Sequence, residues 1–273
     1  MYLTSLFRGI VLLITLLLAS SATGQEQLSD GPYHISFGRE VIFGGTAVVS
    51  GGLAIILQNN LDRNQPFLSE LNVAAYEQIN GFDRLGSIES MGNARKFSDY
   101  SLYTSVALPA LLFTNERMRG DFTTIGLLYL ESLTITAGLT SLSKSAFARP
   151  RPYVYGPEWN PEDPLKSGDR AAFVSGHTSL TATGAFFFAR VLSDYYPDSK
   201  LKPYAWGLAV TLPALTGYLR VKGGRHYPTD VIGGYLLGAA VGYFVPVLHR
   251  KEILGRNAKF NIGPTGACLS LKL

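Results

Sequence analysis

At 273 residues the chain is long enough for one sizeable domain or two small ones. Its residues are 47% hydrophobic and 16% charged, against about 25% charged in an ordinary soluble domain, which narrows it to a membrane protein or an all-helical soluble one. A formal charge of +4 with no run of Lys and Arg excludes a nucleic-acid-binding surface, and the single cysteine, Cys268, excludes an internal disulfide and a cysteine-rich metal site.

Residues 1–24 read as an export signal. Arg8 charges the leading region, residues 10–19 are apolar, and Ala22-Thr23-Gly24 supplies a small-x-small cleavage site before Gln25. The alternative is an uncleaved first transmembrane helix. Six apolar stretches follow, at residues 41–61, 100–115, 122–143, 171–189, 203–219 and 231–248. Each is 16 to 22 residues long, near the ~20 that a helix needs to cross a bilayer. They are rich in Gly, Ala, Ser and Thr, as closely packed membrane helices are. The expected fold is an all-α, six-helix membrane bundle. The third stretch carries Glu131, whose carboxylate must face the bundle interior, as a structural hydrogen-bond partner or a protonated acid.

Between the first two stretches, Leu68, Leu71, Ala75, Ile79 and Phe82 recur at helical spacing, giving a helix that lies on the membrane surface or packs onto the bundle. The loop at 152–170 is polar and rich in Pro and Gly, with Tyr153, Tyr155 and Trp159 as membrane-boundary anchors or the lining of a substrate mouth. In the tail, Phe260, Ile262 and the final Leu-Ser-Leu-Lys-Leu alternate like a strand. The organisation is therefore a signal (1–24), an N-terminal helix with a surface segment (25–98), a catalytic domain (99–250) and a tail (251–273).

Three clusters stand at the ends of these stretches. Lys144 is separated by six residues from Arg151-Pro152 in KSAFARPRP, Ser175-Gly176-His177 opens the fourth stretch in FVSGHTS, and Arg220, His226 and Asp230 bridge the fifth and sixth in RVKGGRHYPTD. Pro228 suits the first turn of a helix, which places Asp230 in that turn and His226 just ahead of it. A carboxylate accepting one imidazole N–H fixes the tautomer and frees the other nitrogen to attack. Ser175 can cap its helix, Gly176 lets backbone approach an anion, and His177 can protonate a leaving oxygen. Lys144, Arg151 and Arg220 supply three cations whose geometry suits phosphate oxygens without a metal or cofactor. Each cluster alone reads as a basic loop or a helix cap; together, at matching helix ends, they read as one phosphoryl-transfer site. Arg225 is either a contact for a lipid headgroup or second phosphate or a plain surface charge. His34 and His249 lie outside the clusters and read as incidental.

From residue 122 to 248 the chain resembles the type 2 phosphatidic acid phosphatase (PAP2) superfamily, which includes vanadium haloperoxidases and class A acid phosphatases. Lys144, Arg151, Pro152, Ser175, Gly176, His177, Arg220, His226 and Asp230 all match its signature, while Val174 and Leu219 stand where the family usually has Pro and Ser. The resemblance implies a phosphohistidine on His226, orientation by Asp230 and general acid catalysis by His177. It implies phosphate binding by Lys144, Arg151, Ser175, Gly176 and Arg220. The expected substrate is a lipid phosphate or polyprenyl diphosphate in a membrane. A soluble periplasmic acid phosphatase, a vanadium haloperoxidase and a catalytically retired binding protein are the other readings.

Arg117 and Arg119, Lys200 and Lys202, and Arg250, Lys251 and Arg256 gather at the helix ends away from the clusters and belong on the cytoplasmic side. The clusters then face outward, into the periplasm of a Gram-negative cell. A cleaved signal places residue 25 outside as well, and six crossings from there invert this arrangement. One premise fails, and the Gly-rich stretch at 41–61 is the expected weak link.

Overall fold

The structure, a computed structural model, describes residues 31–70, 79–89, 92–251, 258–263 and 266–271. The export signal and most of the amphipathic surface segment lie outside them. The described residues form α1 (Phe37–Arg63), α2 (Ala94–Ala107), α3 (Glu116–Gly120), α4 (Phe122–Phe147), α5 (Gly176–Tyr195), α6 (Lys202–Lys222) and α7 (Pro228–Leu248). An antiparallel hairpin of β1 (Ala258–Gly263) and β2 (Gly266–Leu271) follows, with Phe260 opposite Leu269. The body is all-α.

Three helical segments among the described residues are long and apolar enough to cross a membrane: Gly38–Arg63, Phe122–Tyr155 and Pro228–Leu248. Val41, Ile42, Val48, Val49, Leu53 and Ile56 of α1 and Ile232, Leu236 and Phe244 of α7 are exposed. Apolar surface of this extent belongs against lipid tails, and the protein is a membrane protein. The stretch at 41–61 lies in α1, which runs unbroken for 27 residues and is long and apolar enough to cross. Its small residues serve packing, because a Cβ on Gly138 of α4 would overlap Ser50 Oγ and crowd the Ala47 carbonyl, so the two helices touch at backbone distance.

Of the other expected stretches, α2 is too short at 14 residues, and α5 and α6, at 20 and 21, are not apolar enough to be counted as crossing helices. The second is divided, with α2 giving way at Leu108–Thr114 to a 3-10 turn begun by Pro109. α5 is enclosed by α2, α4, α6 and α7 and needs no lipid-facing surface. Its Thr183 and Ser179 hydroxyls meet Thr136 and Thr140 of α4 at 2.8 and 3.0 Å.

The α5–α7 contact sets the site. Gly234, Gly238 and Gly242 recur every four residues along α7, and a Cβ at each would overlap the carbonyl oxygen of Ser175, Ser179 or Thr183 respectively. The two backbones therefore meet directly, and the Ser175 amide donates to the Asp230 carbonyl at 2.9 Å. This ties the start of α5 to the start of α7.

Candidate active site

Four helix termini converge at one end of the bundle: the C-termini of α4 and α6 and the N-termini of α5 and α7. α4 ends at Ala148, which adopts a left-handed conformation (φ 43°). With Pro150 following, the chain turns back across the bundle end, carrying Arg149 and Arg151. Gly224, at φ 66°, makes the turn between α6 and α7, and a Cβ there would stand 3.1 Å from the Glu89 backbone. That turn delivers His226.

The His226 ring is 99% buried. Its Nδ1 donates to the Ala172 carbonyl at 2.7 Å, so a neutral ring presents an unprotonated Nε2. Burial lowers the His226 pKa well below the usual histidine value, and Lys144, Arg151 and Arg220 lower it further. Asp230 does not accept the ring proton as the sequence leads one to expect. Its Oδ2 is 3.7 Å from Nδ1, beyond hydrogen-bond length, and accepts instead from the Tyr227 amide at 2.8 Å. Its Oδ1 is held by Arg149 at 2.6 Å. The helix-start geometry fixes Asp230 onto its own cap, leaving the loop carbonyl nearer the ring.

Arg149 was not among the sequence candidates. Its guanidinium lies 4.1 Å over the Tyr227 ring and bonds Thr229 Oγ1 at 2.9 Å, Asp230, and Asp83 Oδ2 at 2.7 Å. Burial works against the Asp83 charge, yet hydrogen bonds from Arg149, Thr229 and Asn80 hold its carboxyl below the usual aspartate range. Asp83 thus anchors the segment before α2 to the start of α7. Only the position of Arg149 within the KSAFARPRP cluster signals it in sequence; nothing in sequence signals Asp83.

The three predicted cations come together. Lys144, Arg151 and Arg220 are close enough to repel one another and all act on His226. Lys144 Nζ donates to the Ala171 carbonyl at 2.7 Å, and Arg151 Nε to the Gly168 carbonyl at 2.8 Å. Arg220 is 7% exposed, and its Nε is buried without a hydrogen-bond partner. Like charges gathered this way, with a donor left over, make a site for an anion.

His177 opens the first turn of α5, and its Nε2 pairs with Asp99 Oδ1 of α2 at 2.8 Å, another partner the sequence reading missed. Ser175 sits at the N-cap position, but its hydroxyl makes no cap bond and pairs with Thr178 Oγ1 at 2.9 Å. A Cβ on Gly176 would lie 3.7 Å from Lys144 Cε, so the first turn of α5 sits against that lysine. Arg225 stacks 4.7 Å over Tyr153 and, with Trp159, Glu89, Arg95 and Glu158, lines a cavity of about 160 Å³ beside the cationic cluster.

Residues 125–254 match the PAP2 superfamily. Over that segment, a little under half of its length, the chain is similar to that superfamily. It is 30% identical over 146 residues to a lipid A 4'-phosphatase of Porphyromonas gingivalis, covering 52% of this chain and 57% of the relative. It is 29% identical over 146 residues to an undecaprenyl-diphosphatase of Sulfolobus acidocaldarius, covering 52% and 61%. The chain thus spans about three fifths of the length of these relatives. Among solved structures it is similar, at a TM-score of 0.43 and 23% identity, to a transmembrane PAP2-type phosphatidylglycerolphosphate phosphatase from Bacillus subtilis, over 94% of this chain and 99% of that one. The PAP2 segment takes in every one of the three clusters.

Proposed function

We propose that this protein is a PAP2-type phosphatase that removes phosphate from a lipid or polyprenyl monophosphate or diphosphate, through a phosphohistidine on His226. The observation that carries the reading is the buried His226 ring, its Nδ1 pinned to Ala172, beside the three cations. The names of the relatives, a lipid A 4'-phosphatase and an undecaprenyl-diphosphatase, support the substrate class.

The reaction follows from these groups. Lys144, Arg151 and Arg220 take the non-bridging phosphate oxygens, with the first-turn amides from Gly176 onward adding N–H donors. The His226 Nε2 lone pair forms a bond to phosphorus while the bond to the leaving oxygen breaks. His177 acts as the imidazolium: with its Nε2–H held by Asp99 it gives that oxygen its other ring proton, the Asp99 carboxylate favouring this charge against burial and Arg220, which lower the ring's pKa to about 4. Water then attacks phosphorus while the bond to Nε2 breaks and returns its lone pair to His226, His177 takes the water's proton, and inorganic phosphate departs. Asp230 and Arg149 hold the loop that carries His226. The pocket's charge comes from fixed side chains, so turnover needs no added metal. The site faces outward, because Arg117, Arg119, Lys200, Lys202, Arg250 and Lys251 cluster at the opposite end of the bundle, the end that favours the cytoplasm.

The test is a panel of purified lipid phosphates (phosphatidic acid, phosphatidylglycerophosphate, a lipid A phosphate and a polyprenyl diphosphate) assayed with His226→Ala as control. The expected result is turnover of at least one, cut by about 10³-fold or more in the variant, as when a member of a catalytic triad is removed. Phosphate release from water-soluble esters alone, from protein that carbonate washing frees from membranes, would favour the soluble acid phosphatase instead.

A further inference from the structure

His249, Glu40 and Glu131 meet at the end of the bundle opposite the phosphate pocket. His226 precedes the 21-residue helix α7 and His249 follows it, so about 30 Å separates the two ends. His249 is not incidental: it is fully buried, and its Nδ1 donates to the Val245 carbonyl at 2.7 Å. In a neutral ring that bond uses the only N–H, leaving Nε2 as an acceptor. Nε2 faces Glu40 Oε1 at 3.2 Å and Glu131 Oε2 at 3.7 Å. Glu131 lies in α4, is 91% buried, and neither of its carboxylate oxygens has a hydrogen-bond partner, so of the two roles expected from sequence the structural hydrogen bond is not the one seen. Arg39, the nearby cation, instead spends its guanidinium on Ser36 Oγ, the Leu248 carbonyl and His34. With His249 neutral, three lone-pair donors from α1, α4 and the end of α7 therefore converge with no N–H between them among the described residues.

We propose that these three residues bind a divalent transition-metal ion, of the class that includes Zn²⁺, as a clasp joining α1, α4 and α7. The ligand atoms all lie within 4.8 Å of one another. In a tetrahedral site with bonds of about 2.0–2.1 Å, ligand atoms stand about 3.4 Å apart, a value the two measured separations bracket. A metal-bound histidine ordinarily donates its other N–H to a backbone carbonyl, as His249 does to Val245. Imidazole with two carboxylates suits such an ion, whose charge also offsets one buried and one partly buried acid. The clasp is structural and stands apart from the phosphate chemistry.

The experiment uses full-length protein in detergent, stripped with EDTA, dialysed and titrated with Zn²⁺ alone. Bound metal is read by plasma mass spectrometry and stability by thermal unfolding. The expected result is one Zn²⁺ per chain and a Tm rise of about 4 °C or more. Glu131→Gln and Glu40→Gln, which keep side-chain shape should His249→Ala fail to fold, should weaken uptake by at least about 10–100-fold while phosphatase turnover in Glu131→Gln stays within twofold. The inference is overturned if the wild type takes up no more Zn²⁺ than Glu131→Gln. It is equally overturned if Zn²⁺ leaves the Tm of the stripped protein unchanged.

Discussion

His226 donates its Nδ1 proton to the carbonyl of Ala172 at 2.7 Å, while the nearest oxygen of Asp230 stands 3.7 Å away. The backbone thus sets the tautomer, and Asp230 supplies charge at one remove. Where a carboxylate bonds the ring directly, its amide replacement costs about 10⁴ in kcat because the tautomer is lost. Here Asp230→Asn should cost no more than about 10–10², measured as kcat on the preferred lipid phosphate. A loss near 10⁴ would mean that Asp230 bonds the ring during turnover.

Arg149 should matter for stability as much as for rate. It pairs with two buried carboxylates, Asp83 and Asp230. Removing one partner of a buried pair costs about 3–5 kcal/mol. Arg149→Ala should therefore lower the unfolding midpoint sharply, and Arg149→Lys, which keeps one charge but loses the fork, should fall between. Thermal unfolding in detergent reads this directly.

The pH dependence follows from the depressed His226 pKa, caused first by burial and then by Lys144, Arg151 and Arg220. The neutral ring attacks, so the acid limb of kcat/KM assigned to His226 should lie below about pH 6.5, the unperturbed histidine value. Replacing Arg220 by Gln removes one of these cations and should move that limb upward. The linkage has a definite sign: a folded pKa below the unfolded one contributes stability above pH ~6.5, lost as pH falls through the window beneath it.

If His177 protonates the leaving oxygen, its loss should depend on how much that oxygen needs the proton. His177→Ala should slow hydrolysis of alkyl phosphates by about 10²–10⁴. Aryl phosphates, whose leaving groups depart without a proton, should slow far less. Asp99→Asn should show the same pattern, weaker. Equal losses on both substrate classes would assign His177 to phosphate binding.

The glycine stripe on α7 gives a test of the fold. An alanine at Gly238 would overlap the Ser179 carbonyl. Overpacking of this kind costs about 1–3 kcal/mol, against about 1 kcal/mol gained in helix propensity. Gly238→Ala should be net destabilising by thermal unfolding, whereas Gly207→Ala on α6, where a Cβ meets nothing within 4 Å, should be neutral or better.

The helical body and the three clusters are legible in the sequence, because hydrophobic stretches and motif spacing are local patterns. Asp83, Asp99 and Ala172 are not. Asp83 and Asp99 precede the clusters by tens of residues and reach them only through tertiary packing, and Ala172 acts through a backbone carbonyl that no side-chain pattern marks. His249 likewise reads as incidental until α7 carries it to Glu40 and Glu131. α5 fails the test of a crossing helix for a related reason: its Thr and Ser side chains are satisfied by α4, a pairing that hydropathy cannot see.

The most direct test is to find the phosphate on the enzyme. Rapid acid-avoiding quench during turnover of a radiolabelled lipid phosphate, followed by peptide mapping, should place an acid-labile, base-stable phosphoryl group on the peptide containing His226, and His226→Asn should abolish it. Label on another residue, or full turnover by the His226 variant, would contradict the account.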